Sequence, residues 1–212
     1  MRNNLKYTLY LLAFIAISSA HASSQEDLFF AVNRDDARAV TRVLEAGADP
    51  NALDDKGRTI LGFALLNQSN KAAEALMAWT KLDINKLNQN GESALMIAAL
   101  RGNLDWAKRL VARGAAINHD GWSALHYAAT GPNVELVDWL IGKGAYVDGR
   151  SPNGTTPLMM AARYGGEPNV DRLLAAKAEI RASNEQGLTA VDFAKLAGRE
   201  ALTARLAKLM PR

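Results

Sequence analysis

GTTPLMMAA, residues Gly154–Ala162, has two near-copies upstream: GWSALHYAA at Gly121–Ala129 and GESALMIAA at Gly91–Ala99. Weaker versions begin at Gly57 and Gly187. The five glycines are spaced by 34, 30, 33 and 33 residues. A hydroxyl residue follows each glycine by two positions (Thr59, Ser93, Ser123, Thr156, Thr189). An apolar residue comes two further on (Leu61, Leu95, Leu125, Leu158, Val191), and an alanine three beyond that (Ala64, Ala98, Ala128, Ala161, Ala194). A constant period of this size marks a repeat architecture.

Each column has a mechanical reading. Glycine suits a turn position with positive φ, and Ser or Thr suits a helix N-cap. Pro157, directly after Thr156, fits the first helical position, where its missing N–H costs nothing. Leu/Val and alanine then share one helical face, the alanine being small enough for close helix contact. A second apolar periodicity follows, as in NLDWAKRLVARGA (Asn103–Ala115) and NVELVDWLIGKGA (Asn133–Ala145), closed by C-cap glycines such as Gly47, Gly114 and Gly144. The expected unit is turn, short helix, short helix, turn. Helices this short are marginal alone, so each unit is expected to be the hydrophobic partner of the next.

TPLMMAA and SALHYAA, with the Gly-Ala closures, resemble the ankyrin repeat, whose hallmark is Thr-Pro-Leu-His-x-Ala in about 33 residues. The resemblance implies an all-α ankyrin repeat solenoid of helix-turn-helix units joined by β-hairpin-like turns. The expected units are 26–53 as N-terminal cap, then 54–87, 88–118, 119–150, 151–183, and 184–212 as C-terminal cap. Only His126 fills the family's histidine column. Gly62, Met96, Met159 and Asp192 replace it, so that side chain's inter-repeat hydrogen bonds are expected to be missing there. The short spacing before Gly121 predicts a tight or distorted turn near Asn118–Asp120.

The first 22 residues differ from the rest. Arg2 and Lys6 precede an apolar run, LYLLAFIAISSA (Leu9–Ala20), and Ala20-His21-Ala22 places small residues at both positions before a cleavage point. This is the layout of a secretory signal peptide, leaving a mature domain over 23–212 that starts at Ser23. A spanning helix needs roughly 20 apolar residues, so stable membrane insertion is not expected. The chain has no cysteine, and a periplasmic or secreted location is expected. Of 25 basic and 22 acidic residues, the leader carries two basic ones. The remainder is close to neutral and has no basic run, which disfavours nucleic-acid binding.

Catalytic chemistry finds no foothold. Ser93 and Ser123 lack the Gly-x-Ser-x-Gly elbow and read as helix caps. Ile141–Ala145 (IGKGA) lacks the spacing of a phosphate loop and ends a helix instead of opening one. With His21 lost in the leader, His119 and His126 have no metal-binding spacing. Asp49–Gly57 (DPNALDDKG) lacks the ligand order of a calcium loop. Neither metal nor cofactor is expected, and no enzymatic activity.

What remains is a surface. The resemblance implies a concave face built from hairpin tips and the exposed side of each first helix. Just past the turn glycines stand Arg58, Glu92, Trp122, Thr155 and Leu188. The first-helix ends carry Asn67, Arg101, Thr130, Arg163 and Tyr164. Among these, Arg58, Glu92, Arg101, Trp122, Thr155, Arg163 and Tyr164 are the candidate protein-binding residues. Trp, Tyr and Arg are the types enriched at binding hot spots. Trp122 reads equally as an anchor or as a ring folded back on the shortened turn. Trp106 and Trp139 fall in core columns. The expected function is that of a monomeric, exported, non-enzymatic protein-binding module. The resemblance also allows an immunity or protective protein for one exported enzyme or effector, such as a catalase, and less readily a small-ligand receptor.

Overall fold

The computed structural model describes residues 24–210. The leader, its cleavage point and Ser23 lie outside the described residues. The described residues form twelve helices: α1 (24–33), α2 (Ala37–Glu45), α3 (Ile60–Leu66), α4 (Asn70–Ala78), α5 (Ala94–Leu100), α6 (Leu104–Ala112), α7 (Ala124–Thr130), α8 (Val134–Gly142), α9 (Pro157–Tyr164), α10 (Glu167–Ala175), α11 (Ala190–Leu196) and α12 (Glu200–Leu209). They follow one another in six consecutive pairs. The chain divides into two compact units at Asn90/Gly91. The first holds α1 to α4 and the second α5 to α12.

The turn glycines behave as their column requires, with φ of 70, 76, 89, 77 and 74° at Gly57, Gly91, Gly121, Gly154 and Gly187. At Gly57 space adds to the backbone demand, because a Cβ would lie 2.2 Å from the Gln89 side chain. The turns are hairpin-like without being strands. Among the described residues the isolated bridge Leu53–Thr59 is the only ladder element. The same pair of backbone bonds closes three of them, the residue at 54, 151 or 184 donating to the carbonyl at 58, 155 or 188. The shortened turn is held from outside: Asn118 Nδ2 donates to the Gly144 carbonyl and Asn118 Oδ1 accepts from Tyr146 N–H, both at 2.8 Å. His119 Nδ1–H donates to the Asp120 carbonyl at 2.7 Å.

In the second unit the first helices stack in a row, α5 on α7 on α9 on α11, and α8 packs on α10 behind them. The first helices are apolar nearly all round: Ala94 to Ala99 are all buried in α5. The second helices bury one stripe, always in the same register: Trp106, Ala107 and Leu110 in α6, Leu136, Val137 and Leu140 in α8, Asn169, Val170 and Leu173 in α10. Trp139 falls outside that stripe and is half-exposed, a correction to its core reading. Within the first unit α2 packs on α4, and α3 on α4.

Asn169 is polar where its neighbours are apolar, and the helix ends explain it. The last carbonyls of a helix have no partner within it. Asn169 Nδ2 donates to the carbonyls of Ala129 and Gly131 at 3.0 and 2.9 Å, closing α7 from the next repeat. The Arg199 guanidinium does the same for α9, donating to the carbonyls of Ala161, Ala162 and Gly165. The backbone runs close here: a Cβ on Gly165 would lie 2.1 Å from the Ala129 carbonyl oxygen. Any side chain at 165 would push adjacent repeats apart.

Candidate functional site

The third residue of each first helix is where the repeat family places histidine, and α7 has one. His126 is fully buried. Its Nδ1 accepts the Ser123 backbone N–H at 3.2 Å and lies 2.9 Å from the Ser123 hydroxyl. A backbone N–H can only donate, so Nδ1 is bare, and Nε2 carries the proton donated to the Thr155 carbonyl at 2.9 Å. Burial pushes the imidazole below its ordinary pKa, against the opposing pull of that Thr155 bond. A neutral ring with both nitrogens engaged is a strut between repeats. Ser123 stands at the N-cap of α7, as the sequence suggests, and its hydroxyl also lies against this ring.

The other first helices of this unit solve the same local problem differently. Met96 and Met159 turn their sulfur to the N–H of Ser93 and Thr156, at 3.5 and 3.4 Å, while those hydroxyls accept from the methionine N–H. The Asp192 carboxylate takes both the N–H and the hydroxyl of Thr189, at 2.8 and 2.7 Å. These bonds, the backbone one first, hold its carboxyl below the ordinary range. The sulfurs and the carboxylate bond locally, inside their own repeats.

Around His126 the exposed side of the first helices forms a shallow cavity of about 200 Å³, lined by Leu100, Trp122, His126, Tyr127, Thr130 and Met160. Trp122 stands edge-on to His126 and Tyr127, with ring centroids 5.2 and 6.3 Å apart and planes at 78 and 74°. It is half-buried. The ring thus packs along α7 and walls the cavity. The Tyr127 hydroxyl donates to Glu92 Oε1 at 2.8 Å. Burial, then the Glu92 acceptor, push that phenol's pKa up.

The remaining candidates divide. Arg101 is exposed at the end of α5, and Tyr164 is 59% exposed at the end of α9. The half-buried Arg163 guanidinium lies over the rings of Tyr164 and Phe193, 5.1 and 5.9 Å from their centroids. Thr155 is a correction. It is 2% exposed, its N–H bonded to the Ser151 hydroxyl and its carbonyl to His126. A short β-branched side chain at that column does not reach out of the hairpin. Arg58, in the first unit, is spent within its own repeat: its Nε donates to Asp54 Oδ2 at 2.7 Å and its guanidinium lies 4.2 Å over the Phe63 ring. Against the penalty of burial, the Arg58 bonds hold the Asp54 carboxyl below its ordinary pKa.

Sequence reasoning missed Leu100, Tyr127 and Met160. The signal was present: six residues past each turn glycine stand Phe63, Ile97, Tyr127, Met160 and Phe193, and nine past stand Leu66, Leu100, Thr130, Arg163 and Leu196. Thr130 is the small member of its column, and the cavity lies beside it. Among the described residues no cluster of three or more His, Cys, Asp or Glu is placed to hold a metal. Nor is any described helix long and apolar enough to cross a membrane.

Stacked helix pairs with this exposed first-helix row define the class, an all-α repeat solenoid. The family model for ankyrin repeats (3 copies) matches residues 28–118, 74–150 and 131–208, and the chain belongs to the ankyrin repeat family. Its repeats are protein-interaction modules, generally without enzymatic activity. The chain is 33% identical over 175 residues to the chicken (Gallus gallus) nuclear factor NF-kappa-B p105 subunit, covering 79% of this chain but only 18% of that protein. Among solved structures it resembles a chain from a Bdellovibrio bacteriovorus predatory endopeptidase in complex with an immunity protein. There the TM-score is 0.70 at 26% identity, over 86% of this chain and 97% of that one. The human ASB11 ankyrin repeat domain gives a TM-score of 0.72 at 26% identity, over 87% and 83%.

Proposed function

We propose that this chain is exported and binds one protein partner through the exposed side of its first helices in residues 91–212. The observation that carries the reading is the exposure of Leu100, Tyr164 and Leu196, at 39, 59 and 58%, on three of the four members of an otherwise buried helix row. Large apolar side chains repeated along one face, beside Arg101 and Arg163, have the composition of binding hot spots. Replacing Arg101 and Tyr164 together with alanine should abolish partner capture by the immobilised mature chain, with helical circular dichroism unchanged. Capture at the wild-type level would move the site off this face.

A narrower reading draws support from the endopeptidase–immunity protein complex: the partner is an exported enzyme or effector that this chain neutralises or protects. Neutralisation predicts saturable loss of the captured enzyme's activity. Protection predicts a longer thermal half-life at full activity. A captured protein affected in neither way argues against this narrower role. Export itself, with cleavage after Ala22, predicts a native protein whose mass begins at Ser23. An intact Met1 would refute it.

A further inference from the structure

The cavity beside Thr130 has a composition that constrains what can enter it. His126 has both nitrogens engaged, the Tyr127 hydroxyl is given to Glu92, and the Thr130 hydroxyl donates to the Tyr127 carbonyl at 2.8 Å. The polar side-chain groups of His126, Tyr127 and Thr130 are thus satisfied within the protein, and Leu100, Met160 and the ring of Trp122 supply the rest of the lining. A polar group entering would lose its water and find those three side chains already engaged, which is costly; an apolar one would not carry that cost. About 200 Å³ is room for a single side chain.

The charges at the C-terminal ends of α5 and α9 have one sign. The exposed ends of α5 and α9 carry Arg101 and Arg163, and Arg163 is already ordered over Tyr164 and Phe193. The acids on the first-helix side, Glu92 and Asp192, lie at the hairpin end and are bonded to Tyr127 and Thr189. Asp105, Glu135, Glu167 and Glu200 stand on the second helices, where Arg109 pairs with Asp105 and Arg205 with Glu167.

We propose that the cavity seats one apolar side chain, of Leu, Met or Phe, from an acidic docking segment of the partner protein, whose carboxylates lie along Arg101 and Arg163. This rests on the partner-binding reading above and gives it a chemistry. The pocket exists because Thr130 replaces the leucine that Leu66, Leu100 and Leu196 supply in the same column. Thr130→Leu therefore fills it with the repeat's own residue and is the variant least prone to disturb the fold.

The test pans a random heptapeptide display library against the full mature chain, then measures the enriched peptides in solution. The expected peptides carry one Leu, Met or Phe among acidic residues. They should bind Thr130→Leu at least about tenfold more weakly and lose affinity as salt rises. Lys108→Ala, on the exposed side of the second helix α6, should bind as the parent does, and thermal melts should show all variants folded. Basic or wholly polar peptides, unchanged affinity for Thr130→Leu, or no enrichment over an uncoated surface would each overturn the proposal. The native partner's capture through Arg101 and Tyr164, if undiminished by Thr130→Leu, would overturn the pocket and leave the partner-binding reading standing.

Discussion

Helices α7 and α9 are neighbours built on one template, and they differ where it matters. Both bury a leucine completely, Leu125 and Leu158, and both turn the third side chain back to the N-cap backbone. In α9 that side chain is Met159, which does nothing further. In α7 it is His126, whose second nitrogen reaches the Thr155 carbonyl of the next repeat. Stacking and stapling are therefore separable. Every repeat stacks by apolar burial, whereas α7 adds a directional bond at the level where the cavity opens.

If stacking is the common frame, Leu125→Ala and Leu158→Ala should be the most damaging changes and roughly equal, each costing about 2–5 kcal/mol. Denaturant unfolding of both variants checks this; a large inequality would mean that the two repeats do not share one frame. Next in size is His126→Met, which makes α7 resemble α9. It keeps the bulk and the local N–H contact but loses the staple, at about 1–3 kcal/mol. A variant as stable as the parent would show that the bond to Thr155 contributes nothing.

The same ring ties stability to pH. Its pKa is depressed in the folded state, so the unfolded chain binds the extra proton first. Stability should be full above the ordinary histidine value of about 6.5 and fall as pH drops from there towards the folded pKa. Melts of the parent and His126→Met across that range should converge at acid pH. Parallel curves would mean another group is responsible. Smallest should be Ser123→Ala, which removes the hydroxyl bond to His126 at about 0.5–1.5 kcal/mol.

The repeat frame was legible because its columns are spelled out by residue type: turn glycine, hydroxyl cap, leucine, alanine. Those columns report backbone demands and stacking, which recur in every unit. The parts that were not legible depend on reach across repeats. Asn169 and Arg199 look like ordinary surface residues in sequence, yet they close the ends of α7 and α9. Thr155 shares a column with Arg58, Glu92, Trp122 and Leu188, and the single-column view could not tell that its side chain would be covered. The loss of inter-repeat bonds at Met96 and Met159 was legible, but the local contact of their sulfurs with the Ser93 and Thr156 N–H groups was not. The cavity was hidden because it comes from what Thr130 lacks, and an absence of bulk shows only when adjacent repeats are set side by side.

The most direct test of the binding claim is site-specific photo-cross-linking in living cells of the native host. A photoreactive phenylalanine replaces Tyr164, at the exposed end of a first helix, or Lys108, exposed on the second helix α6. The account predicts one discrete cross-linked partner from position 164 and none from 108. A partner trapped from 108 with nothing from 164 would place recognition on the second helices and contradict it.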